Sequence, residues 1–228
     1  MPLTIASWNI EKSGQSSPIE KQTKVNDFIA QQCNAPTDVL FLCEVHSARV
    51  EDYVDFLRSV HDTQYSVDSL DGGNSNNYIC LVRRSSGVQN LSYAQLKGLN
   101  RSGLIFSWYN IWVVLAHFKS GQTGLTKDQL ENAASFLDSV SSGRWGILGD
   151  MNWDYSKFGE LDLPAGAHAA TMWADQSQAK GGILDWCLAG SKTGLGTSNG
   201  YTYFGQFNPL IDMAGPDHRP IIFRLWEC

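Results

Sequence analysis

With 228 residues, 43% of them hydrophobic and 18% charged, the chain has the length and composition of one soluble globular domain spanning residues 1–228. No stretch approaches the roughly 18 consecutive apolar residues of a membrane-spanning helix, so a membrane span is excluded at the outset. A formal net charge of −6 argues against a basic surface that would grip DNA without regard to site.

Leu3–Trp8 alternates like a strand and runs straight into polar residues, without the basic and apolar regions of a secretory signal. The expectation is a cytoplasmic protein if the sequence is full length, or a secreted one if a signal has been removed. Next, Ser17-Pro18-Ile19-Glu20 reads as a capping box with Pro at the first helical position, and Val25, Phe28, Ile29 and Cys33 follow at helical spacing. That helix is expected to end near Asn34-Ala35-Pro36. Asp38–Cys43 is an apolar strand that delivers Glu44, and Val50, Tyr53, Val54, Leu57 and Val60 mark a second amphipathic helix.

A Gly/Asn-rich loop at 71–77 precedes a strand from Tyr78 to Val82. Strands are expected again at Gly103–Trp108 and Ile111–Ala116, the latter delivering His117. Thr126-Lys127-Asp128-Gln129 reads as another capping box, with Leu130, Ala133, Ala134, Leu137 and Val140 on one helical face. Strands at Trp145–Leu148, Ile183–Ala189 and His218–Trp226 complete the set. This interleaving predicts an α/β or α+β sandwich of two sheets flanked by helices. Cys43, Cys80 and Cys187 lie inside apolar runs and read as buried thiols; five Cys without Cys-x-x-Cys spacing fit neither a disulfide framework nor a zinc site.

The strand ends carry the chemistry. Gly149 permits a sharp turn after Ile147-Leu148, and Asp150 and Asn152 follow two residues apart, on one face if the segment stays extended. A carboxylate able to take a proton from water then sits beside an amide able to donate to a phosphoryl oxygen, the pairing that metal-assisted phosphodiester hydrolysis requires. Gly-Asp-x-Asn also occurs in ordinary turns, Glu11 or Glu44 alone reads as a cap, His117 alone as a loop histidine, and Asp185 alone as a buried turn acid. Their joint occurrence at strand ends, with Asp217-His218 before the last strand, is harder to explain structurally, because half-buried acids are costly unless paired or bound to a cation. Glu11, Glu44, Asp150, Asp185 and Asp217 also account for most of the net negative charge, and bound cations would offset part of their field.

In the order and spacing of these pieces, Ser7-Trp8-Asn9, Glu44, Gly149-Asp150-Met151-Asn152, Leu184-Asp185 and Asp217-His218-Arg219-Pro220, the chain resembles the endonuclease/exonuclease/phosphatase (DNase I-like) superfamily over nearly its whole length. The resemblance implies a four-layer α/β sandwich, two mixed β-sheets flanked by helices, with a divalent-metal hydrolase site where the sheets meet. It implies Mg²⁺ or Mn²⁺ as cofactor, with Glu44 as principal ligand and Asn9, Glu11 and Asp217 in the metal shell. Asp150 would activate water, Asn152 and Asn9 would hold the scissile phosphate, and His218, oriented by Asp185, would contact it. His117 matches a histidine of the DNase I and sphingomyelinase branches. Lys119, in a His-Phe-Lys-Ser-Gly stretch similar to one common among bacterial members, and Arg101 are further phosphate-binding candidates. Two positions depart from the pattern: Asn76 stands where a carboxylate partner of His117 is expected, and Pro216 where a serine is usual.

Because the superfamily shares fold and chemistry, the substrate has to be read from loops. Tyr201, Tyr203, Phe204 and Phe207 cluster between two of the motifs, where they could stack on unpaired bases or simply pack the loop. The expectation is a Mg²⁺-dependent nuclease, an endonuclease acting as a monomer on nucleic acid; the alternative is a phosphatase or phosphodiesterase for a small or lipid phosphoester. No protein partner is inferable.

Overall fold

The computed structural model describes residues 1–13, 18–35, 37–46, 50–70, 77–94, 103–197 and 215–228. Two mixed six-stranded sheets form the middle layers. In chain order the strands are β1 (Leu3–Ser13), β2 (Val39–Val45), β3 (Tyr65–Leu70), β4 (Asn77–Arg83), β5 (Val88–Ala94), β6 (Gly103–Trp108), β7 (Ile111–His117), β8 (Trp145–Asp150), β9 (His168–Ala170), β10 (Asp185–Ala189), β11 (Thr193–Thr197) and β12 (Ile221–Glu227). The first sheet has the order β11-β12-β1-β2-β4-β3 and the second β5-β6-β7-β8-β10-β9. Each has one parallel pair near its centre, β1 with β2 and β7 with β8. Helices α1 (Ile19–Asn34) and α2 (Val50–His61) cover the first sheet, and α3 (Thr123–Ser141) covers the second. This is the four-layer α/β sandwich expected from the sequence.

Side-chain alternation along the strands builds the layers. In β1, Leu3 and Ile5 face the second sheet, whereas Ala6, Trp8 and Ile10 face α1 and α2. In β7, Val113 and Leu115 face inward and Val114 and Ala116 pack on α3; in β8 and β10, Leu148 and Cys187 point inward while Ile147, Trp186 and Leu188 point toward α3. Extending the same alternation to the strand ends puts Asn9, His117, Asp150 and Asp185 on the inter-sheet face, beyond the last apolar layer. The site is therefore a continuation of the core in which polar residues replace apolar ones.

Several local expectations need correction. The Ser17 end of the first capping box lies outside the described residues, and Pro18 occupies the N-cap position, not the first helical one, with no side-chain cap. Helix α3 begins a turn earlier than its supposed box: Thr126 is inside it, its hydroxyl donating to the carbonyls of Lys119 and Gln122 at 2.5 and 3.1 Å. Val60 and Val140, assigned to buried helix faces, are exposed at the last turns of α2 and α3, where the core beneath has ended. The last two motif strands begin later than expected, at Asp185 and Ile221. The structure adds β3, β5, β9 and β11, which the hydrophobic pattern did not mark. Cys43, Cys80 and Cys187 are buried free thiols, as expected, and burial pushes the thiol of Cys33 up to about 12 as well.

Candidate active site

Sheet register assembles the acids and imidazoles. His117 pairs with Asp150 across the parallel β7–β8 step, and Asp150 pairs with Asp185 across the antiparallel β8–β10 step, so three adjacent strands present His117, Asp150 and Asp185 side by side. Gly149 makes the first step possible. Its φ is +141°, and a Cβ there would lie 2.1 Å from the carbonyl oxygen of Ala116. Gly149→Ala is therefore expected to lower unfolding free energy by about 3 kcal/mol, the upper range for backbone strain combined with overpacking. Urea unfolding measures it, and a change under about 0.5 kcal/mol would contradict this account.

The first sheet contributes Asn9 and Glu44. Strict alternation would turn Glu44 toward the helices, because Leu42 lies on that side. Instead β2 bulges: Cys43 pairs with Tyr78 and Val45 with Asn77, leaving Glu44 as the extra residue, at φ 54°, while Val45 takes the helix-facing position. A second irregularity in β1, between Asn9 and Ser13, puts Glu11 and Lys12 at φ 46° and 58°. Asn152 has φ 47°. Four of the seven non-glycine residues with positive φ among the described residues thus belong to the strand ends and turns around Asp150, while Asn90, Tyr109 and Ser142 lie elsewhere.

Asp150 is the centre of the arrangement. It is 1% exposed; its Oδ2 accepts from Asn9 Nδ2 at 2.9 Å and its Oδ1 from the backbone N–H of Asn152 at 3.0 Å. His117 Nε2 lies 3.3 Å from Glu44 Oε1 and 3.5 Å from Asp150 Oδ2, so one ring nitrogen faces both carboxylates. Burial, then the charge of Asp150, raise the pKa of Glu44 above the usual carboxylate range, only partly opposed by His218, the Asn9 amide and Lys12. On the other side, His218 Nδ1 meets Asp185 Oδ2 at 2.8 Å, and its Nε2 lies 3.8 Å from both Asp150 Oδ2 and Asp217 Oδ1. Burial alone would lower the His218 pKa, but Asp185, Asp150 and Asp217 outweigh it and push it up to about 10. Near neutral pH the ring is an imidazolium with both N–H groups donating.

The remaining sequence candidates fall as follows. The Asn152 side-chain amide donates to the Phe118 carbonyl at 3.0 Å, tying the turn after β8 to the end of β7. Asp217 is half-buried and accepts from Gln178 Nε2 at 3.5 Å. Glu11 turns its carboxylate to Lys21 of α1, at 2.9 Å, while its backbone N–H donates to Asn9 Oδ1 at 3.0 Å. The half-buried Lys119 follows His117 by two residues, and its backbone N–H donates to Gln129 Oε1 at 3.3 Å. Arg101, Asn76 and the aromatic residues Tyr201, Tyr203, Phe204 and Phe207 lie outside the described residues.

One residue that sequence reasoning passed over is Ser177. It is fully buried; its hydroxyl donates to Asp185 Oδ2 at 2.7 Å and accepts from the backbone N–H groups of Leu184 and Asp185 at 2.8 and 2.9 Å. A serine in the polar run Gln176-Ser177-Gln178 gives no sign in the sequence of being a core residue.

Ligand atoms of Asp150, Asp185 and His218 lie within 4.8 Å of one another, close enough to share a cation. Asp185 Oδ2, however, already accepts from both His218 and Ser177. An acceptor so occupied and facing an imidazolium is a poor ligand. The carboxylates of Glu44 and Asp150, converging on one imidazole nitrogen, with Asp217 nearby, form the oxygen-rich set that suits a hard divalent cation. Burial first, and then the charge of Asp150, keep the pKa of Glu44 raised in spite of His218, Asn9 and Lys12.

By sequence, no family model and no curated protein matches the chain. By structure it resembles the human Nocturnin catalytic domain with bound sulfate (TM-score 0.66, 13% identity, covering 100% of this chain and 95% of that one). It also resembles D. rerio TDP2 complexed with a single-strand DNA product (TM-score 0.65, 14% identity, 98% of both chains). A third similar structure is an endonuclease/exonuclease/phosphatase family protein from Bacteroides thetaiotaomicron (TM-score 0.65, 10% identity, 100% and 99%). The chain has the DNase I-like endonuclease/exonuclease/phosphatase fold.

Proposed function

We propose that this chain, with its DNase I-like sandwich, is a Mg²⁺- or Mn²⁺-dependent phosphodiester hydrolase that cleaves nucleic acid as an endonuclease. The observation that carries the reading is the surrounding of Asp150: a buried carboxylate held on both oxygens by Asn9 and Asn152, flanked by two imidazoles and facing Glu44. Structural acids are ordinarily neutralised by one partner. Here two imidazoles, two N–H donors and a second carboxylate converge on one buried acid.

In this reading Asp150 takes the proton of the attacking water as its oxygen bonds to phosphorus, while the bond from phosphorus to the leaving ester oxygen breaks and that oxygen takes a proton from solvent water. Asn9 and the Asn152 N–H keep the carboxylate from rotating. The His218 imidazolium, fixed through Nδ1 by Asp185, offers Nε2–H to the charge that builds on the phosphoryl oxygens. His117 brings a second ring nitrogen, Nε2, to 3.5 Å from the same Asp150 Oδ2, and the Asn152 side-chain amide ties the adjoining turn to the Phe118 carbonyl. Glu44 and Asp217 would hold the cation, with Asn9 adjoining them; the Glu11 carboxylate would join only by leaving Lys21. When bound, the cation supplies charge neutralisation at the phosphoryl and leaving oxygens and a more acidic water. The similarity to a TDP2 structure complexed with a single-strand DNA product supports nucleic acid as the substrate class.

Nicking of supercoiled plasmid in 5 to 10 mM Mg²⁺, roughly the range that saturates weak oxygen sites, tests the reading. Activity is expected to vanish in excess EDTA and return with Mg²⁺ or Mn²⁺. Undiminished activity in EDTA would overturn the metal assignment. An intact plasmid together with turnover of a small or lipid phosphoester would replace the nuclease by a phosphatase or phosphodiesterase.

A further inference from the structure

The stretch 175–179 lies between β9 and β10, yet its contacts run to the last motif. The N–H of Arg219 donates to the Ser177 carbonyl at 2.7 Å and that of Ala179 to the Asp217 carbonyl at 2.8 Å, making an antiparallel bridge between Gln178 and His218. Gln178 Nε2 reaches Asp217 Oδ2 at 3.5 Å. Trp8 Nε1 closes the other side by donating to the His218 carbonyl at 2.7 Å. The segment therefore runs beside Asp217 and His218 and, through a single hydroxyl, also holds Asp185.

That hydroxyl makes three bonds and has no capacity to spare. Ser177 Oγ gives its proton to Asp185 Oδ2, the same oxygen that faces His218 Nδ1, and accepts two N–H groups from the chain entering β10. The oxygen that orients the imidazole is thus itself fixed in place. We infer that Ser177 is a positioning residue of the active site: its hydroxyl locks the Asp185 carboxylate so that His218 is held with Nε2 toward Asp150 and the incoming phosphate. The inference rests on the phosphodiesterase reading for its catalytic consequence, but the locking itself can be observed without turnover.

The serine does this better than the alternatives open to the site. Alanine would leave the Leu184 and Asp185 N–H groups and one lone pair of Asp185 Oδ2 without the hydroxyl that satisfies them. A water in its place would satisfy the bonds without being tied to the chain that carries Gln178. Residues acting in this way behind a reactive group typically change rate by about 10- to 100-fold.

The test is a double-mutant cycle on bis(p-nitrophenyl) phosphate with Mg²⁺, comparing wild type, Ser177→Ala, His218→Ala and the double variant, with folding checked by circular dichroism. Ser177→Ala is expected to lower kcat about 10- to 100-fold with KM changed less than about threefold, and to add less than about threefold to the loss in His218→Ala. The same loss in both backgrounds, or a kcat equal to wild type, would overturn the inference. Should Ser177→Ala not fold, Ser177→Cys, whose thiol fills the space but donates and accepts weakly, carries the same cycle with the same two outcomes.

An NMR readout separates this inference from the function it rests on. The His218 Nδ1–H resonance of the folded protein is expected far downfield, as a donor to a carboxylate, and to move or broaden in the Ser177 variant. An unchanged resonance would overturn the positioning role even in an active enzyme. A wild type inactive on every phosphodiester, with a resonance that still responds to Ser177, would overturn the function and keep the lock.

Discussion

Replacing Asp150 by Asn is expected to lower phosphodiester turnover at least about 10³-fold while leaving the protein folded. The two side chains are nearly isosteric, so packing beneath β8 is preserved, but the amide can neither accept the water's proton nor carry charge beside the cation. The substitution also meets a geometric conflict. Asp150 accepts on both oxygens, from Asn9 Nδ2 and from the Asn152 N–H, so in either orientation an amide turns its NH₂ toward a donor. That mismatch is expected to cost about 1–3 kcal/mol of stability, visible as a lower urea midpoint. Asp150→Ala, which removes the conflict along with the carboxylate, should lose as much activity. Turnover within tenfold of wild type for either variant would show that another group takes the proton, and Glu44 would then be the first to examine.

What the sequence revealed and what it hid divide along physical lines. Central strands are covered on both faces, so β2, β4, β7, β8 and β10 appear as apolar runs and β1 as an alternating one, and the residues at their ends could be read directly as Asn9, Glu44, His117, Asp150 and Asp185. The four strands it did not mark, β3, β5, β9 and β11, are the four edges of the two sheets. Edge strands are partly solvated and carry polar or small residues, as in Thr193-Gly194-Leu195-Gly196-Thr197, where glycines make room for Trp226. The helix starts were misplaced because Thr126 and Gln129 fit a box pattern while serving other purposes: the Thr126 hydroxyl and the Gln129 carbonyl both secure the loop after His117. Glu44 was found for an incomplete reason. Its position at a strand end was legible, but the bulge that turns it from the helix side into the cleft depends on pairing with β4, which no local pattern encodes. The Ser177 hydroxyl depends on contacts seven and eight residues away and had no local signal at all.

Glu44→Gln is expected to abolish most activity, by about 10²-fold or more, and at the same time to raise the melting temperature of the metal-free protein. The sign follows from linkage. A carboxylate whose pKa is raised in the folded state binds a proton more readily there than in the unfolded chain, so stability falls as pH rises through the window between the ordinary carboxylate value and the raised one. Neutral pH lies on the destabilised side, where burial and the neighbouring charge of Asp150 both act against ionised Glu44. Glutamine fills the same space, keeps an acceptor for the Asn9 amide and does not ionise, so it retains at neutral pH the stability that wild type has only in acid. Adding Mg²⁺ should reverse the order: a cation bound to the folded state raises the wild-type midpoint by mass action but has lost its principal ligand in the variant. Scanning calorimetry with and without Mg²⁺ measures all four midpoints. A metal-free Glu44→Gln protein less stable than wild type, or one stabilised by Mg²⁺ as much as wild type is, would show that Glu44 is held there for structure and that the cation is bound elsewhere.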